Sequence, residues 1–342
     1  MKLTIIGFGT VGKALMNLLM ERRRELVREF GLRPEVVAVV DRGGALINPE
    51  GLDPKLAFEA DRKGTVASHE KYGQPGLRAI KVIEEVESDV VVELTPTNVK
   101  DGQPGLSHIE AALKAGRHVV TTNKGPLALA LPALMELAAY NGVFLRFSGS
   151  VGGGTPILNL AKRCLAGEKI LFVKGILNGT TNYILTRMYE EGLSMEVALK
   201  EAKKLGYAEA DPSYDIEGID AACKLVIIAN WVMGEKISIK DVKKEGISKI
   251  QLEDVAKAKK RRRTIKLIAF ADDEAYVKPV EIPIEDPLCV GGTLNAVTFK
   301  AESSGEITLI GRGAGGKETA SAVLRDLIDI KLNLLRRAKE TW

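Results

Sequence analysis

The chain has 342 residues, 45% of them hydrophobic and 27% charged, with a mean hydropathy of +0.01. That length is natural for two domains of roughly 100–150 residues, and the balance excludes a disordered tail protein, which would be poorer in apolar residues and more lopsided in charge. Forty-nine bases against 45 acids nearly cancel, to +4, and the most apolar stretch, around residues 225–233, is too short to span a bilayer and has Lys224 at its edge.

In chain order, the first half alternates short runs rich in Val and Ile with helical patterns, as βαβ units do. Strands are predicted at residues 2–6, 35–41, 89–94, 117–121 and 143–147, with no secretory leader ahead of the first. Between the first two strands, Leu15, Leu18, Leu19, Leu26, Val27 and Phe30 recur at roughly helical spacing over residues 12–30, and Gly31 and Pro34 stop the helix. Amphipathic helices are also predicted over residues 78–86, 107–115 and 127–140, the second opened by a Ser107-to-Glu110 capping box. Parallel strands joined by helical crossovers make a doubly wound α/β sheet of Rossmann type.

Beyond residue 148 the texture changes. A Gly-rich bend at residues 148–156 closes the first domain. A helical tract follows at 180–192, 194–206 and 218–233, then alternating strand-like segments at 264–271, 275–284, 296–301 and 306–310. These read as an α+β domain with a one-sided sheet. An apolar-striped helix closes the chain at 315–339. The expected division is a dinucleotide-binding domain at 1–147, a substrate and dimerisation domain at 148–310, and a C-terminal helix at 311–342 packing back on the first domain. The basic block at 257–263 lacks interleaved aromatics and follows Glu253 and Asp254 on the same predicted helix, so it reads as a solvated helix end rather than a nucleic-acid patch. Cys164, Cys223 and Cys289 are widely spaced and form neither a disulfide framework nor a metal motif, which suits a reducing cytoplasm.

Three constellations carry chemistry. Gly7-Phe8-Gly9-Thr10-Val11-Gly12 follows a strand and opens a helix, the context in which G-x-G-x-x-G reads as a dinucleotide site rather than a tight turn. Gly7 permits the turn, Gly9 lets the backbone approach a pyrophosphate, and Gly12 lets helix pack on strand. Residues 209–224 hold five carboxylates and one lysine. Asp220 and Lys224 lie at i, i+4 on one helix face, and the helix continues as an apolar run. A charged pair at the mouth of a buried helix needs partners or a purpose, although the spacing alone also fits an ordinary surface pair. Thr121-Thr122-Asn123-Lys124 ends a strand where such sheets bind ligands; Lys124 either faces the nicotinamide end of a bound cofactor or is a solvated loop lysine.

With these motifs assembled, the chain closely resembles homoserine dehydrogenases of the short monofunctional type. The resemblance runs through GFGTVG, ELTPTN at 93–98, TTNKGPLA at 121–128, SVGGGTP at 150–156, GILNGTTNYIL at 175–185 and LGYAEADPSYDIEGIDAACK at 205–224. It implies reversible, pyridine-nucleotide-dependent interconversion of L-homoserine and L-aspartate 4-semialdehyde. By position it implies Lys224 as the catalytic lysine, with Lys124 as the second lysine at the cofactor–substrate junction. Asp220 and Glu209 are the implied substrate-binding carboxylates, with Gly206 beside the substrate and Asp215 in the same cluster. Thr95 and Gly315 are implied cofactor contacts. A monovalent cation such as sodium is implied on the backbone carbonyls of Ser148, Val151, Gly153 and Thr155, with Ser148 standing where an acidic residue is expected. The resemblance also implies a homodimer joined through the second-domain sheet with the 175–185 segment near the interface, and no kinase or C-terminal effector-binding module, hence no threonine feedback through one.

The chemistry agrees on independent grounds. Reducing an aldehyde needs positive charge or a proton at the developing alkoxide, which an ammonium supplies, and the substrate's own α-ammonium needs acidic partners. For the cofactor, Asp41 at the end of the second strand favours NAD if it meets the ribose, whereas Arg42 beside it offers a fork suited to the 2′-phosphate of NADP. Lys63 could add charge, and Asp41 could instead cap a turn at Gly43-Gly44. The resulting expectation is that NADP(H) is preferred and NAD(H) accepted. Two rivals remain. A semialdehyde dehydrogenase would need a thiolate nucleophile, and a nucleotide-sensing protein without turnover would need no lysine–carboxylate site in the second domain. The expected partners are the small-molecule substrate and a second copy, with no nucleic acid or membrane.

Overall fold

The computed structural model describes residues 1–340, and the chain divides into two compact units. The first comprises Met1–Ser150 together with the segment from Gly315 onward; the second is Val151–Ala314. The last two residues of the expected C-terminal segment, 341 and 342, lie outside the described residues.

The first unit runs β1 (Lys2–Ile6), α1 (Thr10–Glu21), α2 (Arg23–Phe30), β2 (Glu35–Asp41), β3 (Gly44–Ile47), α3 (Pro54–Asp61), β4 (Gly73–Pro75), α4 (Ala79–Glu85), β5 (Val90–Glu93), α5 (Gly105–Lys114), β6 (His118–Thr121), α6 (Lys124–Tyr140) and β7 (Leu145–Arg146). Its sheet has the order β4-β3-β2-β1-β5-β6-β7. The strands from β2 to β7 pair in parallel, while β3 and β4 add an antiparallel edge. That edge was not expected. Its strands are four and three residues long, too short to show alternation.

Three local expectations are corrected. The helix expected over 12–30 breaks at Arg22, where the backbone leaves helical angles and the side chain turns to bond Glu25. The Ser107 capping box does not form, because α5 begins two residues earlier. Ser107 lies inside the first turn and donates its N–H and hydroxyl to the Gln103 side chain. Helix α6 begins at Lys124 rather than 127, capped by Asn123, with Pro126 in the first turn where its missing N–H costs nothing. It kinks at Ala130 ahead of Pro132, whose ring cannot continue the helix hydrogen bonds.

The second unit runs α7 (Ile157–Asn159), β8 (Ile170–Ile176), α8 (Gly179–Glu191), α9 (Met195–Lys204), α10 (Ser213–Ile216), α11 (Ile219–Ile228), β9 (Lys243–Lys244), α12 (Leu252–Lys260), β10 (Arg263–Ala271), β11 (Ala275–Pro283), β12 (Leu294–Ala301) and β13 (Gly305–Arg312). Its sheet has the order β13-β12-β8-β10-β11-β9, antiparallel except for the short β9. Central β8 escaped the sequence reading: ILFVKGI is a short apolar run with no period to separate strand from helix. The basic block ends α12, with Arg261 and Arg262 paired to Glu281 and Glu285.

The chain ends in α13 (Gly316–Glu340), which belongs to the first unit. Its Ala320, Val323, Leu324, Leu327 and Ile330 recur at helical spacing and join the same core as Leu3, Leu15 and Leu19. Among the described residues no helix is long and apolar enough to cross a membrane.

Candidate active site

In the first unit, β1 delivers the chain into the glycine turn. Gly7 has φ +102°, and a Cβ there would stand 2.7 Å from the Leu94 carbonyl oxygen. A Cβ on Gly12 would strike the Gly7 carbonyl at 2.3 Å, so both positions need glycine. Gly9 has nothing within 4 Å of such an atom, and it begins α1 without a side-chain cap. The first N–H groups of α1 are therefore available to an anion, as a dinucleotide pyrophosphate requires. Thr10 is exposed beside them; Phe8 is buried against Phe58, and Val11 packs on the core. Gly316 approaches this turn so closely that a Cβ on it would lie 2.7 Å from the Thr10 side chain, which puts the start of α13 beside the glycine turn. Gly315 has φ +132°, a backbone conformation that favours glycine.

Asp41 caps the turn that follows β2. One carboxylate oxygen accepts from the Gly43 N–H (2.8 Å) and the Thr65 hydroxyl (2.6 Å), the other from the Val66 N–H (2.8 Å). Arg42 and Lys63 are exposed. Thr95 lies just past β5, and half-buried Lys124 is the first residue of α6.

Ser148 donates its N–H and hydroxyl to the two oxygens of Asp326 on α13, at 2.8 and 2.7 Å. Complete burial pushes the Asp326 carboxyl up to about 6. Val151, Gly153 and Thr155 lie in the second unit, in a turn with Gly152 and Gly153 at positive φ; the Thr155 carbonyl already accepts from the Ile157 N–H at 2.8 Å.

The second unit holds the lysine–carboxylate cluster. Gly218, at φ +77°, swings the chain into α11, which buries Asp220 and Lys224 one turn apart. Lys224 Nζ donates to Asp220 Oδ2 and to the Leu177 carbonyl, both at 2.7 Å. Asn178, absent from the sequence reading as a site residue, joins the parts. Its Nδ2 donates to Asp215 at 2.6 Å and Asp220 at 2.9 Å, while its Oδ1 caps α8 through the Thr181 N–H at 2.9 Å. The Thr180 hydroxyl shares its one hydrogen between the Tyr207 carbonyl at 2.7 Å and the second Asp215 oxygen at 3.0 Å. Burial first, and then the neighbouring Asp220, raise the Asp215 carboxyl above the ordinary aspartate range. Asp215, Asp220 and Lys224 are brought together; Gly206 and Glu209 sit on the exposed loop after α9, outside this hydrogen-bond network.

The homoserine dehydrogenase family model matches residues 156–328, and the model for that family's NAD-binding domain matches residues 7–148. The chain belongs to the homoserine dehydrogenase family. It is 49% identical to the homoserine dehydrogenase of Methanocaldococcus jannaschii over 96% of this chain and 98% of that one. It is 41% identical to the NAD(+)-dependent homoserine dehydrogenase of Pseudomonas canavaninivorans, over 99% of each. A hyperthermophilic archaeal homoserine dehydrogenase mutant in complex with NADPH superposes with a TM-score of 0.85 at 33% identity, covering 97% of this chain and 98% of that one.

The thiolate rival gains no support. Cys223 is buried beside the Tyr214 hydroxyl at 3.4 Å, and burial pushes the Cys289 thiol up. Of the residues that sequence reasoning missed, Asn178 had a usable signal: Asn before a helix is a cap. Asp326 had none, since an acid inside an apolar stripe shows its partner only in three dimensions.

A raised native carboxyl lowers stability as pH climbs from the unfolded aspartate value through the folded one. Asp215→Asn is therefore expected to melt at a higher temperature than the parent at neutral pH. The gain should vanish as the pH falls to about 4. Melting curves across that range check this; a variant clearly less stable at pH 7 would contradict it.

Proposed function

We propose that this chain catalyses the reversible, NAD(P)-dependent interconversion of L-homoserine and L-aspartate 4-semialdehyde, with Lys224 as the catalytic lysine. The observation that carries the assignment is the Lys224 ammonium itself: buried in α11, it is aimed by the Asp220 carboxylate and the Leu177 carbonyl. An ammonium has three donors. Two are taken, and the third is left for the substrate oxygen, where it donates a proton or stabilises charge as the aldehyde becomes alkoxide. In the oxidative direction the alcohol proton passes to the Lys224 side chain in its neutral amine form, regenerating the ammonium.

Asp220 and Glu209 hold the substrate's α-ammonium, and Gly206 admits the substrate backbone without a side chain in the way. Asp215, clamped by Asn178 and Thr180, shapes the carboxylate cluster. A bound nicotinamide supplies or accepts the hydride. The residues proposed to hold that nucleotide are Gly7, Phe8, Gly9, Thr10, Val11 and Gly12 through their backbone, with Thr95, Lys124 and Gly315. The uncapped start of α1 and the open face at Gly9 fit its phosphates.

For cofactor choice, Asp41, also proposed to meet the nucleotide, is held by Gly43, Thr65 and Val66 with one acceptor position left for a ribose hydroxyl. The exposed Arg42 beside it takes a 2′-phosphate. NADP(H) preference with NAD(H) accepted follows. A monovalent cation such as sodium would be held in the second unit by the main-chain carbonyls of Val151, Gly153 and Thr155, an oxygen donor set of the kind such ions take; Ser148 is the fourth residue proposed. A homodimer through the six-stranded sheet is consistent with exposed Ile310 on edge strand β13, and free cysteines agree with a cytoplasmic setting.

Lys224→Ala is expected to lower kcat by about 10²–10³-fold, the usual loss for one directed donor, with NADPH affinity unchanged. Steady-state assay at the nicotinamide absorbance band with L-homoserine checks it, and more than half of the parent kcat remaining would remove the assignment. Arg42→Ala is expected to lose about tenfold in NADPH affinity, a charged hydrogen bond's worth, with NADH affinity unchanged. Equal losses for both cofactors in fluorescence titration would place the 2′-phosphate elsewhere.

A further inference from the structure

Strand β5 ends in Glu93, a carboxylate with no solvent exposure after three buried valines. Such a group is unfavourable in a protein interior unless donors surround it. Thr95 supplies two to Oε1: its N–H at 3.0 Å and its hydroxyl. The Thr121 hydroxyl, at the end of β6, donates to Oε2 at 3.0 Å. His108 Nδ1 on α5 faces Oε1 at 3.8 Å, beyond hydrogen-bond reach.

An ionised carboxylate only accepts. Both threonine hydroxyls must therefore turn their hydrogens toward Glu93, which leaves their oxygens to accept from elsewhere. Both accept from Asn123. Its backbone N–H bonds the Thr121 oxygen at 3.0 Å, and its Nδ2 reaches the Thr95 hydroxyl oxygen, the Thr95 carbonyl and the Pro96 carbonyl, each at 3.3 Å. The Thr95 and Pro96 carbonyls can only accept, so they fix the Asn123 Nδ2 and leave Oδ1 to accept the Gly125 N–H at 3.2 Å, the cap on α6. Glu93 thus sets the direction of the two threonine hydroxyls, while backbone partners set the Asn123 amide that joins them to the helix beginning at Lys124.

We propose that Glu93 is a positioning residue for cofactor binding: it holds Thr95 through its N–H and hydroxyl and, through the Thr121 hydroxyl whose oxygen receives the Asn123 N–H ahead of α6, supports Lys124 in the geometry that receives the nicotinamide nucleotide. This rests on the reading of Thr95 and Lys124 as cofactor contacts. Glutamine has the same shape but a donor at one end, so Glu93→Gln reverses one link of the chain. Thr121→Val keeps shape and removes the next link.

The test is fluorescence titration of the full-length protein and these variants with NADPH, beside melting temperatures and KM for homoserine. Glu93→Gln should weaken NADPH binding about tenfold, as for the loss of one charged hydrogen bond, with KM for homoserine within about twofold. The double variant should bind no worse than Glu93→Gln alone, because both break one chain. If Glu93→Gln does not fold, Thr121→Val must show the loss by itself. A variant that melts earlier but binds NADPH as the parent does would overturn the proposal, leaving Glu93 a fold-stabilising residue, and so would multiplicative losses in the double variant. Lys124→Ala separates the two layers. Parent-like NADPH binding in Lys124→Ala would sink the cofactor reading of that lysine, whereas weak binding there with parent-like binding in Glu93→Gln would sink the proposal alone.

Discussion

The Lys224–Asp220 pair sits inside the protein, and the second unit is arranged to make that tolerable. Two charges taken out of water are favourable only when their geometry is good and their remaining donors and acceptors are met. The i, i+4 spacing on α11 brings them to 2.7 Å; the Leu177 carbonyl takes a second ammonium hydrogen, and Asn178 fills a further site on Asp220. Those two partners are consecutive residues just past β8, so the central strand of the sheet aims the lysine. Asp215, raised by burial and by Asp220, is the member of the cluster whose charge the surroundings favour least.

The first unit follows a similar logic with backbone in place of charge. Gly7 and Gly12 lie where a Cβ would collide with main-chain atoms, and Gly9 lies where the space is open. The uncapped α1 and the closely packed start of α13 frame the same turn. Beyond it, side-chain hydrogen bonds radiate from two carboxylates, Glu93 at the end of β5 and Asp41 at the end of β2. Each organises a loop at the carboxyl edge of the sheet, where open α/β sheets bind their ligands.

Much of this was legible in the sequence. Glycines at 7, 9 and 12 after a Val- and Ile-rich strand, and Asp220 four residues before Lys224 on an apolar helix, encode their geometry through local spacing. The parts that were not legible depend on distant partners. Nothing near Ser148 indicates that Asp326 will meet it, and Glu93 looks like a strand's polar end until Thr121 and Asn123 are brought beside it. The short strands β3 and β4, and aperiodic β8, lacked a pattern because their pairing is decided by the sheet they join. Where Ser107 mimicked a capping box, Gln103 reached the helix start first.

The central claim is that Asp220 and Lys224 act as one unit on the substrate oxygen and ammonium. A double-mutant cycle on kcat/KM for L-homoserine, built from Asp220→Asn and Lys224→Met, tests it most directly. The account predicts a coupling of at least about tenfold, with the double variant hardly worse than Lys224→Met alone, since the carboxylate has little to aim once the ammonium is gone. Losses that simply multiply would mean the two side chains serve separate tasks, and the shared site would be wrong.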